Sequence, residues 1–354
     1  TQGTYIEYGI FGEGGFEGIN TVLSPLPIGY HFRSDIPVFG FVSNPQMDGW
    51  ATFDGDFYSP GVPENGWGIE IINGSTDLTA SNNRVGPVDI SGAITNYFDD
   101  GLCKITTWEG DYISGAYNLH IRLDYLLYTS DLFYTTVVTI TNNGITIPNF
   151  YYYRNVDPDN NKSISGTFKT QNTIVSQPGS GCNRAHVSAT SNEPSSQPLS
   201  YIGFAGVGPN FRVSYGGFSN RDASDIWNGS GLTGTPGSTD FGDAAISLAY
   251  KITNFTSGTT ETFRFVNILD DAGASNAIYN NLFTVTWPGA PFVPPTCNPV
   301  VPTVTICQGS SVPLSISGPV LSDFTWAWTP TTGLSPTTGT TVTASPTSTT
   351  MYTV

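Results

Sequence analysis

Charge is scarce in this sequence. Only 11% of its 354 residues are Asp, Glu, Lys or Arg, and lysine occurs just four times. The twelve basic residues are scattered, so the Lys/Arg cluster that a phosphate backbone requires is missing and no nucleic-acid partner is expected. Histidine occurs only at His31, His120 and His186, and the four cysteines include no Cys-x-x-Cys pair, which leaves no zinc-ligand set. No apolar run approaches the ~18–20 residues that cross a bilayer, so no membrane span is expected. Long helical periodicity is absent too; residues 270–283, DDAGASNAIYNNLF, are the one place for a short helix. There is no Gly-x-Ser-x-Gly elbow. The glycine-rich GEGGFEG at 12–18 precedes no helix and carries no Lys-Ser/Thr, which argues against a phosphate loop.

Apolar residues make up 38% of the chain and aromatics 13%, too much for disorder. Hydroxyls and amides must therefore solvate the surface, a balance that suits an extracellular all-β protein. The net charge of −16 fits solubility, repulsion between copies, or cation binding. The start at Thr1-Gln2-Gly3 reads as a processed N-terminus or as the edge of a fragment. An even cysteine count in such a chain points to an oxidising compartment. Cys103 and Cys182 are the expected pair, since both lie in one long region, while an extended Pro-containing segment holds Cys297 and Cys307 beyond disulfide reach.

Alternating β-branched and aromatic runs dominate: YNLHIRLDYLLY (117–128), LFYTTVVTITNNG (132–144), TETFRFVNIL (260–269) and LFTVTW (282–287). Turn signals such as NNG, GTPGS and DDG punctuate them. Six prolines crowd residues 287–302, marking a linker. The expected organisation is an all-β sandwich head over 1–286, built as one sandwich or two, the linker 287–302, and a small β-domain over 303–354. In that last region Val312, Leu314 and Ile316 alternate on one strand. Phe324, Trp326 and Trp328 alternate on another as core aromatics, and TTVTAS and TTMYTV supply two more strands.

The framework CQGSSVPLSISG followed by TWAWTPTTGLSPTTGTTVTASPTSTTMYTV resembles the PKD/immunoglobulin-like repeat of Bacteroidetes surface proteins, among them gliding-motility adhesins and other type IX secretion cargo. Ala327-Trp328-Thr329-Pro330 departs mildly from the repeat's commonest tetrad. The resemblance covers the C-terminal region alone. It implies an exported, extracellular or cell-surface protein and an immunoglobulin-like domain incomplete at Val354. It also implies a partner for Cys307 beyond that residue, in further repeats or through strand exchange with another chain.

RNVDPDNNKS is the best ligand candidate. Asn155, Asp157, Asp159 and Asn161 alternate, so their oxygens converge on a calcium ion if the backbone curls; otherwise they form an Asx-rich turn. Asp54 with Asp56, Glu64 with Glu70, and Glu109 beside Trp108 are carboxylates near aromatics, the raw material of a glycosidase. Trp50, Trp67, Trp108 and Trp227 offer either sugar-stacking surfaces or core. The leading expectation is a non-enzymatic adhesin or filament subunit that binds itself, other surface proteins or glycans. The alternative is a secreted carbohydrate-active enzyme or glycan-binding protein with a mutarotase-like super-sandwich.

Overall fold

The computed structural model describes residues 1–15, 41–44, 56–58, 64–83, 86–160, 166–179, 183–191, 200–218, 220–271, 274, 277, 284–286, 304, 306–307, 309–317 and 325–354. Its fold is all-β, as expected, with antiparallel pairing throughout the described strands. A three-stranded sheet holds β1 (Ile6–Tyr8), β2 (Phe41–Ser43) and β3 (Asp56–Tyr58). Two larger sheets build the head. The five-stranded sheet runs β14 (Phe211–Tyr215), β16 (Ile246–Phe255), β10 (Ile147–Val156), β4 (Asn65–Asn73), β5 (Thr76–Asn83). The nine-stranded sheet runs β15 (Thr239–Gly242), β11 (Thr170–Ser176), β12 (Arg184–Thr190), β13 (Tyr201–Val207), β17 (Thr260–Ile268), β9 (Phe133–Asn142), β8 (Tyr117–Tyr128), β7 (Cys103–Ser114), β6 (Ser91–Asp99).

The two sheets share one core. On β8, Leu119, Ile121 and Leu123 point inward and are fully buried, while His120 and Arg122 point out. On β9, Val138 and Ile140 join the same core, and the outward Thr139 and Thr141 bond across to Thr262 and Thr260 of β17. Facing them are Trp67, Ile69 and Ile71 of β4 and Phe150, Tyr152 and Val156 of β10. Trp67 meets Trp108 edge-on at 5.1 Å, and Tyr152 meets Phe263 at 5.4 Å, so aromatic contacts join the sheets. The two large sheets therefore pack face to face as a sandwich.

The glycine-rich segment closes one part of that core. The Trp108 indole donates to the Gly12 carbonyl at 2.8 Å, the Trp67 indole to the Glu13 carbonyl at 3.0 Å, and the Tyr125 hydroxyl to the Gly14 carbonyl. Buried donors thus find main-chain acceptors. Gly14 has φ +81°, and a Cβ there would lie 3.0 Å from Trp108, so a side chain is excluded twice over.

β10 is buried on both faces. Tyr151 and Tyr153, pointing away from the core, lie under the one described named helix, α1 (Ala223–Asn228), with Ala223 and Ile226 against them. The Asp222 side chain caps α1 by accepting from Asp225 N–H, and Gly229 at φ 72° ends it. Residues 274 and 277 of the expected short helix are helical, and Ala277 is buried.

The C-terminal sheet runs β18 (Thr284–Thr286), β19 (Val312–Ser317), β21 (Thr341–Ala344), β20 (Leu334–Ser335). Leu314, Ile316, Trp328, Leu334, Val342 and Ala344 form its core, with Val312 and Trp326 against it. The Trp326/Trp328 alternation therefore holds, although Trp326 is only half-buried; Phe324 lies outside the described residues. Two details differ from expectation. The 284–286 strand pairs with β19 instead of extending the head, and TTMYTV contributes one bridge, Thr353 to Thr329, where a strand was expected. Runs of threonine lack the inward apolar side chains that would hold a ladder against a core.

Cys103 is disulfide-bonded, and Cys307 is free and exposed. Cys182 and Cys297 lie outside the described residues, as does the linker over 287–302.

Candidate functional site

The outer face of the five-stranded sheet carries the chemistry. Strand alternation sends Phe211, Val213 and Tyr215 of β14 into the core and turns Arg212 outward. There it meets α1. The Arg212 guanidinium lies 4.8 Å from the centre of the Trp227 ring, and that ring meets Tyr151 edge-on at 6.3 Å. Beside them opens a groove of about 500 Å³, lined by Arg212, Trp227, Gln177, Asn228, Leu232 and Thr235 among others. Gln177 braces its floor: the amide donates to the carbonyls of Val213 and Gly234 and accepts from Val213 N–H at 3.1 Å, acting as a ladder partner for edge strand β14. Among the described residues the Trp227 indole N–H has no protein acceptor. Trp227 is half-buried, whereas Trp67 and Trp108 are fully buried; Trp50 lies outside the described residues. Of the four tryptophans weighed as sugar platforms, Trp227 is thus the one seen in a groove.

Two carboxylates near α1 behave oppositely. Glu64 is buried and clamped: Arg221 donates to it through Nη2 at 3.0 Å and Nε at 3.3 Å, and the Asn155 amide adds a bond at 2.9 Å. Glu70, outward on β4, is also buried but faces like charge. Its carboxyl lies within 4.8 Å of those of Asp77 and Asp222 and accepts from Ser224 N–H at 2.6 Å. Burial, ahead of its polar neighbours, pushes Glu70 up to about 7. Asp77 is exposed, so the trio reaches solvent.

The expected calcium set is only partly assembled. Asp157 and Asp159 do converge, both buried, and Asp243 joins them with carboxyl oxygens within 4.8 Å. Asn155 points its amide at Glu64, and Asn161 lies outside the described residues. The chain turns tightly here, Asp159 N–H donating to the Asp157 carbonyl at 3.1 Å and Asn160 N–H to that of Pro158 at 2.7 Å. Burial first, then Asp159 and Asp243, pushes Asp157 up to about 8. Carboxyls so placed hold a proton or share a hard cation such as calcium.

No protein-family model matches this chain, and no curated protein does. Solved structures do align with it. They include mutarotase-type and galactosidase-type proteins and also a copper-containing benzylamine oxidase from Hansenula polymorpha. A galactose mutarotase-related enzyme from Lactobacillus acidophilus aligns at TM-score 0.26 and 9% identity, over 56% of this chain and 77% of its own. A putative aldose 1-epimerase from Escherichia coli K12 aligns at TM-score 0.31 and 12% identity, over 75% and 99%. A GH36 α-galactosidase from Geobacillus stearothermophilus aligns at TM-score 0.36 and 9% identity, over 78% and 41%. Likenesses this loose assign no residue of this chain a role. The adhesive or filament expectation is not upheld: the proteins named are enzymes, and none is an adhesin or a filament subunit.

Other expected residues disperse. Glu109 and Trp108 are adjacent in sequence but sit on opposite faces of β7: the indole is in the core, and Glu109 accepts from Thr95 at 2.7 Å on the outer face. His120 is half-exposed and bonded to Asp111 at 2.9 Å, a surface pair on the outer face of β8. His186 is buried against the Tyr201 hydroxyl at 2.9 Å and pushed down to about 4, chiefly by burial. His31 and Asp54 lie outside the described residues, and Asp56 opens β3. Sequence reading missed Arg212, Gln177, Arg221, Asp243 and α1. The run Asp222-Ala-Ser-Asp225 with Asn228-Gly229 is a start-and-stop signal that was legible for the helix. Nothing local marks Arg212, whose role depends on a helix folding over its strand.

Proposed function

We propose that the head recognises a saccharide in the groove beside α1. The observation that carries this reading is Trp227, a half-buried indole lining a groove of about 500 Å³. Apolar sugar faces stack on such rings while polar groups around the rim take the hydroxyls. Asn228, Thr235 and the indole N–H, which has no acceptor among the described residues, supply that polar rim. The disulfide at Cys103 supports an oxidising, extracellular setting. Binding to a panel of neutral and acidic oligosaccharides tests the reading. Trp227→Ala is expected to weaken binding at least about tenfold, ~1.4 kcal/mol, with the circular dichroism spectrum retained. Binding indifferent to Trp227 would move the site elsewhere.

Turnover is the second reading, favoured by Glu70. A carboxyl pushed up to about 7 still carries a proton at neutral pH, as a general acid must, and Asp222 beside it is placed to act with it. Glu70→Gln is then expected to abolish release or anomer interconversion of a bound sugar, with a pH–rate inflection near 7 in the parent. Equal activity in parent and variant ends this reading.

A further inference from the structure

Among the described residues Arg212 is the sole charged one lining the groove, in a chain with 28 acidic residues. Its Nη1 donates to the carbonyls of Pro209 at 3.0 Å and Phe211 at 2.7 Å, which fixes the guanidinium plane. The Nε and Nη2 donors have no acceptor, and no carboxylate pairs with the side chain, among the described residues. Three other cations of the head do have carboxylate partners: Lys104 pairs with Asp99, Arg122 with Asp124 and Glu109, and Arg221 with Glu64. Burial lowers the Arg212 pKa, with no carboxylate opposing it. A second cation, Lys251, sits 5.1 Å over the Tyr151 ring on the same outer face, so the neighbourhood is cationic as well as aromatic.

We propose that the groove selects an acidic saccharide, its carboxylate held side-on by the Nε and Nη2 donors of Arg212 while the sugar ring lies against Trp227. A planar fork with both donors on one edge matches the two oxygens of a carboxylate. A fixed, part-buried guanidinium with no counter-ion among the described residues leaves a site that gains most from an anion and least from a neutral hydroxyl. The net charge of −16 does not oppose this, since screening over about 8 Å at physiological salt leaves the local cation dominant inside the groove.

This inference rests on the saccharide reading, and its test separates the two. The full chain is titrated calorimetrically with oligosaccharides presented in pairs, each uronic acid beside its neutral methyl ester. The acid is expected to bind about tenfold tighter or more, ~1.4 kcal/mol. Arg212→Gln is expected to bring the acid-to-ester affinity ratio to about one, and Arg212→Lys to restore part of it. Because Arg212 also packs on Trp227, the parent's salt dependence gives a second measure that needs no variant: the acid preference should shrink as salt rises. Acid and ester bound alike would overturn the inference and leave the saccharide reading standing. An acid preference untouched by salt and by Arg212→Gln would overturn it too. Failure of every pair to bind would sink both.

Discussion

Glu64 and Glu70 lie on one stretch of chain, point to the same outer face and are both buried, yet their surroundings separate them. Glu64 has a cation and two amides within reach, Asn83 supplying the second when its amide is turned to face the carboxylate. Removing its charge strands Arg221 and breaks the cluster, so Glu64→Gln is expected to cost about 3 kcal/mol in urea unfolding, the range for breaking a buried pair. Glu70 has carboxylates for company. Its folded pKa is raised, so the stability its neutral form contributes is complete below about 4.5 and is lost as pH rises through about 7. Glu70→Gln removes that loss. The melting temperature of the variant relative to the parent should climb between those two pH values and level off above them; a flat difference would mean the carboxyl is not desolvated.

At the scale of elements, two short segments do work that their length belies. Gly12 to Gly15 lends carbonyls to two buried indoles, and Gly14 is confined by φ and by Trp108. Gly14→Ala is expected to destabilise by roughly 2 kcal/mol from backbone strain and crowding together, and to shift tryptophan fluorescence as the indoles lose their acceptors. The second segment is the turn after β10, where Asp157 and Asp159 meet Asp243 from the approach to β16. If calcium occupies this cluster, millimolar calcium raises the melting temperature of the parent and leaves Asp157→Asn/Asp159→Asn unmoved. If protons occupy it, calcium does nothing, and stability falls as pH rises from about 4 through about 8, the raised value of Asp157. The double variant should flatten that slope in either case.

Across the whole molecule, the disulfide at Cys103 is the long-range link. Asn183, next to Cys182, is tied to the β13 end, its carbonyl accepting from Gly208 N–H at 2.7 Å, while Cys103 opens β7. β12 and β7 are separated by β13, β17, β9 and β8. Cys182 and Cys297 both lie outside the described residues, and Cys103 is disulfide-bonded. A non-reducing peptide map identifies its partner: a Cys103–Cys182 peptide upholds the expected pair, and a Cys103–Cys297 peptide overturns it.

The sequence by itself determined the all-β class and the faces of the strands. Period-two alternation is a local property, and in YNLHIRLDYLLY or LFYTTVVTI it states which side chains face the core. It also reached Trp328, Leu314 and Ile316 in the C-terminal core, and it brought Asp157 and Asp159 together, since a turn keeps near residues near. Only the tertiary structure decided that Trp108 and Glu109 part company, that Glu64 is neutralised by Arg221 from far along the chain, that Asp243 completes the carboxylate cluster, and that Arg212 meets Trp227 beside a groove. Each of these depends on which strands are neighbours and on what lies over them. Strand order is set by the summed burial of whole faces, and no single segment encodes it.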